Sequence, residues 1–263
     1  MNIGILADIH ANHIALDTCI EDAKKFNITK WIIAGDVMGR LPGINETFAL
    51  LDKLDATYLV GNHEELFCKH YNPSRPLECM QYQHRVITPL NAQRVKDLVA
   101  SRAIVFQSDE PGLDDIICTH SNFHFPYAWE TYIDSKVEAL WDIGAFANYG
   151  ENKKLGIVGH THIPLIVQAD DAAQSATCLK DCYSTTQVSY ASGKTYVVAP
   201  SVGMTRDTNP ETGYVVIDTN AKLVTVRRIP YDIDALFSFA RNCEGFKLAN
   251  LYNLDLYRLS FTV

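Results

Sequence analysis

The first 60 residues alternate between short apolar segments and helical patterns, and this alternation restricts the possible folds more than any other feature of the sequence. Segments 2–7 (NIGILA), 30–34 (KWIIA) and 57–60 (TYLV) are typical of buried strands. Between them, apolar residues recur at helical spacing over 16–23 and 44–54. Strand–helix–strand units of about 30 residues place their strands in parallel. The chain is therefore predicted to be an α/β protein.

Residue types that bind metals follow the predicted strands at the points where these strands end. There are five such clusters: Asp8-Ile9-His10, Gly35-Asp36, Gly61-Asn62-His63-Glu64, Thr119-His120 and Gly159-His160-Thr161-His162. A single cluster of this type is usually a turn or a structural hydrogen bond. The carboxyl ends of parallel strands, however, share one edge of a sheet, where α/β proteins build their sites. Because Asp, Asn and His bind hard and borderline metal ions, the five clusters together predict a metal centre.

After residue 163 the pattern changes to short β-branched segments separated by turn residues. The segments IPLIVQ, KTYVVAP, GYVVID and KLVTVRRI predict a second, more antiparallel sheet, and residues 169–193 a long loop or hairpin. Helices are predicted over most of 64–103 and over about 127–150. Since no linker divides the chain, we predict one domain over 1–263, with a cap-like helical insertion at about 64–103 and a helical tail from about 231.

The composition argues against several classes of function. The net charge is −8 and Lys and Arg form no basic block, so no broad nucleic-acid surface is expected. The apolar segments are far shorter than the roughly 20 residues that cross a bilayer, and Met1 begins a core strand instead of a signal peptide. The seven cysteines contain no CxxC pair, which favours free thiols. We expect a cytoplasmic protein without a membrane partner, and the sequence leaves its oligomeric state open.

The order DIH, GD, GNHE, TH and GHTH resembles the calcineurin-like metallophosphoesterases. The stretch ADIHANHIAL is similar to the SDIHGN-x-x-AL opening of that family, and PSVGMTR at 200–206 is similar to a turn of its small prokaryotic phosphodiesterase branch. The resemblance extends from residue 8 to about 206 and implies a two-sheet αββα sandwich. It also implies a phosphoric ester hydrolase with two divalent metal ions, for which manganese, iron, zinc and nickel all suit a mixed set of nitrogen and oxygen ligands.

The resemblance also assigns roles to individual residues. One metal would bind Asp8, His10, Asp36 and His162, and the other Asp36, Asn62, His120 and His160, with Asp36 bridging the two. The two carboxylates offset only half of the metal charge, so the site would attract a hydroxide and a phosphate. The hydroxide between the metals would attack phosphorus without a covalent enzyme intermediate. His63 would not bind metal but would assist the leaving group, an effect worth roughly 10²–10⁴-fold.

Substrate contacts are less clearly specified by motif. Arg40 stands where the protein phosphatase branch has a phosphate-binding arginine, and His124 and Arg206 are further candidates, with a surface role as the competing interpretation for each. In that branch an Asp orients the catalytic histidine, whereas Gly39 occupies this position here. The departure favours a phosphodiester or phosphoanhydride of a small substrate, with nucleotides as candidates, over a Ser/Thr protein phosphatase. A non-catalytic scaffold of this fold and a mononuclear zinc hydrolase are two further hypotheses, and metal content would distinguish both of them from a dinuclear enzyme.

Overall fold

Two six-stranded β-sheets form the centre of the protein. A computed structural model describes residues 1–69, 78–170, 175–180, 182 and 184–247. The first sheet contains β1 (Asn2–Leu6), β2 (Lys30–Ile33), β3 (Ala56–Tyr58), β9 (Thr186–Ser189), β11 (Thr212–Asp218) and β12 (Leu223–Ile229), in the order β3-β2-β1-β11-β12-β9. The second contains β4 (Val105–Gln107), β5 (Ile116–Thr119), β6 (Leu155–Val158), β7 (Leu165–Ala169), β8 (Ala176–Lys180) and β10 (Lys194–Val198), in the order β4-β5-β6-β10-β7-β8.

Each sheet combines parallel and antiparallel pairs. In the first sheet β1 lies parallel to β2, and β2 to β3, while β11 joins the other side of β1 in antiparallel register. In the second sheet β6 lies parallel to both β5 and β10, and antiparallel strands complete each side. The predicted α/β sandwich of two sheets, with parallel strands at its N-terminus, is therefore confirmed.

The strands after residue 163 do not form a sheet of their own, contrary to the expectation from the sequence. β7, β8 and β10 extend the second sheet, whereas β9, β11 and β12 join the first sheet beside β1. Within the described residues, 169–193 is not a single hairpin either, because β8 pairs with β7 and β9 pairs with β12 of the other sheet. The pattern of apolar residues identifies a strand but does not identify the strand that pairs with it.

Helices cover the outer faces of the two sheets. In the described part of the chain they are α1 (His13–Ala23), α2 (Ile44–Leu51), α3 (Asn62–Lys69), α4 (Glu78–Val86), α5 (Pro89–Ser101), α6 (Lys136–Ile143) and α7 (Ile233–Asn242), with short 3-10 turns at Lys24–Phe26 and Gly144–Tyr149. The predicted helix over 127–150 is wrong in its first part, because α6 begins only after Ser135, where a capping box with Glu138 starts it. None of the described helices is long and apolar enough to cross a membrane.

The apolar core has three layers, since successive side chains of a strand point to opposite faces of its sheet. Ile5 and Ile157 belong to the layer between the two sheets. Leu6 packs on the opposite face of the first sheet with residues of α1 and α2. Val158 and Tyr196 pack on the outer face of the second sheet with residues of α6. Close packing of this kind holds the strand ends of both sheets in fixed relative positions.

Candidate metal centre

The polar clusters of the sequence converge at one edge of the sandwich, where the carboxyl ends of the parallel strands lie. Asp8 follows β1 and Asp36 follows β2 in the first sheet, while His120 follows β5 and His160 follows β6 in the second. The two sheets are joined at this edge, because the His160 N–H donates to Asp8 Oδ2 across 2.8 Å. Placement at strand ends thus brings residues that are far apart in the sequence into one site.

Among the described residues, three groups of side chains could each hold a metal ion. Within each group, the donor atoms all lie within 4.8 Å of one another. The groups are Asp8, His10 and His162; His10, Asp36 and His63; and Asp36, His120 and His160. Asn62 joins the third group, because its Oδ1 lies 3.1 Å from His120 Nε2 and 3.0 Å from His160 Nδ1. The structure therefore brings together all seven side chains that the sequence proposes as ligands, and Asp36 belongs to two groups.

The Nε2 atoms of His10 and His162 face each other in the candidate site. Met38 O accepts the Nδ1 hydrogen of His10 at 3.1 Å, and Met204 O accepts the Nδ1 hydrogen of His162. A neutral imidazole carries one hydrogen, so Nε2 of each ring keeps a lone pair. The two Nε2 atoms are nevertheless 3.1 Å apart. A cation bound by both nitrogens would satisfy this arrangement, and metal-binding histidines are commonly fixed by a backbone carbonyl in this way.

His120 and His160 show the same arrangement around Asn62. His120 Nδ1 donates to Ala34 O, and His160 Nε2 donates to Trp129 O, each across 2.8 Å. In the neutral form of both rings, which metal binding requires, the second nitrogen of each ring would present a lone pair toward Asn62 Oδ1, which is also an acceptor. Acceptors that converge with no hydrogen between them fit a bound cation, and imidazole, carboxylate and amide oxygen suit a borderline divalent ion.

The charge of the carboxylates shifts the pKa values of the neighbouring histidines. Burial favours the neutral form of His120, but Asp36 beside it outweighs burial and raises the pKa of His120 to about 10. Burial and the adjacent His120 lower the pKa of His160 to about 4. Burial opposes the ionisation of Asp36, yet His120 and His63 hold its pKa well below the usual value. In the metal-free protein, His120 therefore carries a proton that a metal must displace.

Five of the seven proposed ligands have a left-handed backbone conformation, which costs a non-glycine residue roughly 1–2 kcal/mol. Their φ angles are 54° at Asp8, 49° at His10, 54° at Asp36, 66° at His160 and 65° at His162. Such conformations persist only where the surroundings fix them, and they cluster at functional sites. Here the N–H groups of Asp8 and His10 donate to Gly35 O and Asp36 O, which joins the turns after β1 and β2.

Glu64 holds two of the ligand-bearing turns together. Its carboxylate accepts four backbone N–H groups at 2.9–3.3 Å, from Asp36, Val37, Met38 and Gly61. Its side chain is buried, with 1% exposure. Burial and the charge of Asp36 raise the pKa of Glu64 to about 7, whereas the backbone hydrogen bonds act in the opposite direction. The sequence identifies Glu64 only as the last residue of GNHE, and nothing in that pattern indicates that it links two turns.

His63 lies at the start of α3 and belongs to the second donor group, with His10 and Asp36. Its N–H donates to Asp36 Oδ1 across 2.8 Å, and its Nε2 is 3.9 Å from Asp36 Oδ2. Its Nδ1 is buried without a hydrogen-bond partner in the described part of the chain. A Cβ atom on Gly39 would lie only 2.3 Å from this nitrogen, so the backbone of Gly39 occupies the space beside the ring. Burial and the nearby charge of Arg40 lower the pKa of His63 to about 4, although the charge of Asp36 acts in the opposite direction.

The three proposed substrate contacts lie in different surroundings. Arg40 is half-buried, and its Nε has no hydrogen-bond partner among the described residues. Arg206 lies beside two ligands, since its N–H donates to His162 O at 3.2 Å and its Nη1 to His160 O at 3.5 Å. His124 packs against α6 instead, with its ring centroid 4.2 Å from that of Trp141. Arg206 thus contacts two proposed ligands and the charge of Arg40 acts on His63, whereas the described contacts of His124 lie away from the donor groups.

Aromatic residues after β5 form a wall of the site that the sequence did not identify. The ring of Tyr132 stacks on His160, with centroids 4.5 Å apart and an angle of 18° between the rings. Its ring also lies 5.7 Å from the Arg206 guanidinium carbon, and Tyr132 is 44% exposed. Trp129 contacts His120 edge-on at 5.6 Å. The sequence did not predict these contacts, because a helix over 127–150 would direct the side chains of Trp129 and Tyr132 along helical faces instead of toward the histidines.

The fold is an α/β sandwich, and donor residues from both of its sheets form the candidate metal site. The sequence profile of the calcineurin-like phosphoesterase family matches residues 1–186, which is more than half of the chain. The chain therefore belongs to the calcineurin-like phosphoesterases, as its motifs predict. This family uses divalent metals, and the protein is accordingly a hydrolase that acts on phosphoesters.

Several known proteins are similar to the chain over most of its length. An uncharacterised protein of Methanocaldococcus jannaschii is 25% identical over 237 residues, covering 88% of this chain and 88% of that protein. A metallophosphoesterase from Sphaerobacter thermophilus has a TM-score of 0.80 at 23% identity, covering 98% of this chain and 100% of that chain. A hypothetical protein from Pyrococcus horikoshii has a TM-score of 0.69 at 16% identity, covering 95% and 96%. The two structures share the fold along nearly their whole length.

Proposed function

We propose that the protein is a dinuclear phosphoesterase that hydrolyses a phosphodiester or phosphoanhydride of a small substrate, with nucleotides as the first class to test. The observation that supports this proposal is the position of Asp36, which is grouped with His120 and His160 on one side and with His10 and His63 on the other, while His10 also belongs to the group of Asp8 and His162. One carboxylate has two oxygens and can contact two ions about 3.5–4 Å apart. One ion would use Asp8, His10, Asp36 and His162, and the other Asp36, Asn62, His120 and His160.

The side chains supply binding, charge and orientation for this reaction. When bound, two divalent ions would provide a nucleophile from water near neutral pH and reduce the negative charge of the phosphate. Two carboxylates, Asp8 and Asp36, offset only part of the metal charge, so the site attracts an anion although the whole chain is acidic. His63 is held by Asp36 through its backbone N–H and stands beside the leaving group in this proposal. Arg40 and Arg206 would contact the substrate, and His124, which packs against α6, would do so only for a substrate that extends to that helix.

A Ser/Thr protein phosphatase is the second candidate within the same family. Arg40 favours it, because that branch has a phosphate-binding arginine at the corresponding position. The surroundings of His63 argue against it, since the Gly39 backbone and not an acidic side chain lies beside His63 Nδ1. We therefore place a small phosphorylated molecule first. We propose that neither a broad nucleic-acid surface nor a membrane takes part.

A substrate panel with added Mn²⁺ tests the proposal. It contains bis-p-nitrophenyl phosphate, p-nitrophenyl phosphate, diadenosine tetraphosphate and a phosphopeptide, with Asp36→Asn purified in parallel to exclude contaminating enzymes. We expect turnover of the diester or the anhydride to exceed that of the phosphopeptide, and about two metal ions per chain by elemental analysis. Preference for the phosphopeptide would favour the protein phosphatase. Absence of bound metal after supplementation would favour the non-catalytic scaffold, and a single ion the mononuclear hydrolase.

A further inference from the structure

The loop of residues 38–41 lies directly against two histidines of the candidate site. Met38 O accepts the Nδ1 hydrogen of His10 across 3.1 Å. A Cβ atom on Gly39 would lie 2.3 Å from His63 Nδ1 and 2.8 Å from His10 Nδ1. The φ angle of Gly39 is +129°, which side-chain-bearing residues rarely adopt. The position of this loop therefore limits where both imidazole rings can lie.

Gln83 of α4 holds this loop in place through both ends of its side-chain amide. Its Oε1 accepts the Gly39 N–H at 2.9 Å, and its Nε2 donates to Leu41 O at 2.9 Å. Gln83 is fully buried, so loss of its amide would leave two buried backbone groups without partners. The two hydrogen bonds lie on either side of Arg40 in the sequence. One side chain thus fixes the backbone before and after Arg40 and beside His63.

Anchoring of α4 does not depend on Gln83 alone. Met80 of the same helix packs in the cluster that covers the first sheet. Tyr82 packs with residues of α7, and its ring contacts Phe246 at 5.1 Å. Apolar contacts of this kind hold a helix without a buried amide. The amide of Gln83 accordingly has a more specific effect, which is on the conformation of the loop.

We propose that Gln83 is a positioning residue, whose amide fixes residues 39–41 and so places the His63 ring relative to the donor groups. This inference rests on the proposed function, in which His63 assists the leaving group. Gln83 contacts neither metal nor substrate and acts only through the loop. A displacement of about 1 Å at a catalytic group can cost about 10²-fold in rate. Helix α4 would thereby influence the chemistry.

Gln83→Met tests this role, because it keeps the length of the side chain and removes both hydrogen bonds. Asn45→Leu is the matched control, since the Asn45 amide also joins two backbone groups, donating to Val86 O at 2.8 Å and accepting the Thr88 N–H at 3.0 Å. We expect Gln83→Met to lower kcat about 10- to 100-fold for diphenyl phosphate. The loss should be smaller for bis-p-nitrophenyl phosphate, whose leaving group needs less assistance, and Asn45→Leu should retain kcat.

Two further measurements separate positioning from general destabilisation. In a His63→Ala background, Gln83→Met should lower kcat for diphenyl phosphate by less than about 3-fold. Gln83 acts through the His63 ring in this proposal, so its substitution has little further effect once that ring is removed. An undiminished loss in that background, or an equal loss in Asn45→Leu, would overturn the proposal. If Gln83→Met does not fold, Gln83→Glu is measured in the same way, since it keeps an acceptor for Gly39 but cannot donate to Leu41 O.

Imidazole ¹⁵N NMR provides a readout that does not require activity. Gln83→Met should shift the ring signals of His63 while those of His124 stay unchanged, and Asn45→Leu should shift neither. Unchanged His63 signals would overturn the positioning role whatever the activity. If the wild-type protein hydrolysed no ester of the panel while Gln83→Met still shifted His63, the proposed function would fail and the positioning of His63 by Gln83 would stand.

Discussion

The backbone N–H of His63 donates to Asp36 Oδ1 across 2.8 Å, which ties the proposed catalytic histidine to the carboxylate shared by two donor groups. Asp36→Asn keeps an oxygen for this hydrogen bond but removes the charge that two ions would share. We predict that it lowers metal content to less than about one ion per chain and nearly abolishes activity. His63→Ala should keep the metal and lose roughly 10²–10⁴-fold in kcat. Elemental analysis measures the metal content and steady-state kinetics the activity. If His63→Ala lost metal and Asp36→Asn did not, the assignment of Asp36 as a ligand and His63 as a non-ligand would be wrong.

Metal binding should release protons. Although burial favours neutral His120, the charge of Asp36 raises its pKa, so the metal-free protein keeps this ring protonated at neutral pH. A metal must displace that proton, and its affinity should rise about tenfold per pH unit between about pH 6 and 8. Calorimetry in buffers of different ionisation enthalpy would measure about one proton released. An affinity that does not change with pH would contradict the assignment of His120 as a ligand.

Gly39→Ala should reduce activity far more than it reduces stability. The added methyl group would lie 2.3 Å from His63 Nδ1, which must move. Gly112→Ala is the control, because Gly112 also has a positive φ of +90° but a Cβ there would meet nothing closer than Thr219 Oγ1 at 3.5 Å. Both variants should lose about 1 kcal/mol in urea unfolding, while only Gly39→Ala loses at least about tenfold in kcat. Equal losses of kcat would refute a local effect at His63.

Glu64→Gln should destabilise the protein even without metal. Two of the four backbone N–H groups that the carboxylate accepts would then face an amide NH₂ group. We predict a loss of about 1–3 kcal/mol in the free energy of unfolding, measured by denaturant titration in EDTA. The neighbouring change Glu65→Gln, which affects the contacts of Glu65 with Lys69 and Trp129, should cost less than about 1 kcal/mol. A similar cost for both would argue against the linking role of Glu64.

Tyr132 should matter for substrate binding through its ring and not through its hydroxyl. The centre of the ring lies 4.5 Å from that of the His160 ring and 5.7 Å from the guanidinium carbon of Arg206. Tyr132→Ala removes this support and should raise KM about 2- to 10-fold, as expected for the loss of one aromatic contact. Tyr132→Phe should leave KM within about twofold. An equal rise in both variants would mean that the hydroxyl contacts the substrate.

The donor residues could be proposed from the sequence because each of them follows the end of a predicted strand. Asp8 and Asp36 follow β1 and β2, and parallel pairing of these strands is enough to bring them to one edge. The same holds for His120 and His160 after β5 and β6. Local sequence patterns were therefore enough to propose these residues as ligands. They did not indicate that Asp8 and Asp36 lie in one sheet and His120 and His160 in the other.

Contacts between residues that are far apart in the sequence could not be predicted from local sequence patterns. Gln83 and Gly39 are 44 residues apart, and a single glutamine in a helix carries no signal of its partner. The stacking of Tyr132 on His160 was hidden by the predicted helix over 127–150. The assignment of β11 to the first sheet depends on its pairing with β1, more than 200 residues earlier in the chain. Periodicity describes one segment at a time and contains no such information.

The pairing of the first strand with β11 also determines when the site can be completed as the chain is synthesised. Asp8, His10, Asp36 and Asn62 leave the ribosome first, His120 follows 58 residues after Asn62, and His160 and His162 follow about a hundred residues after Asn62. β1 gains its second neighbour only when residues 212–218 have emerged. All seven donors have therefore emerged while the first sheet is still unfinished, and the sheet that supports the candidate metal centre is completed late in translation.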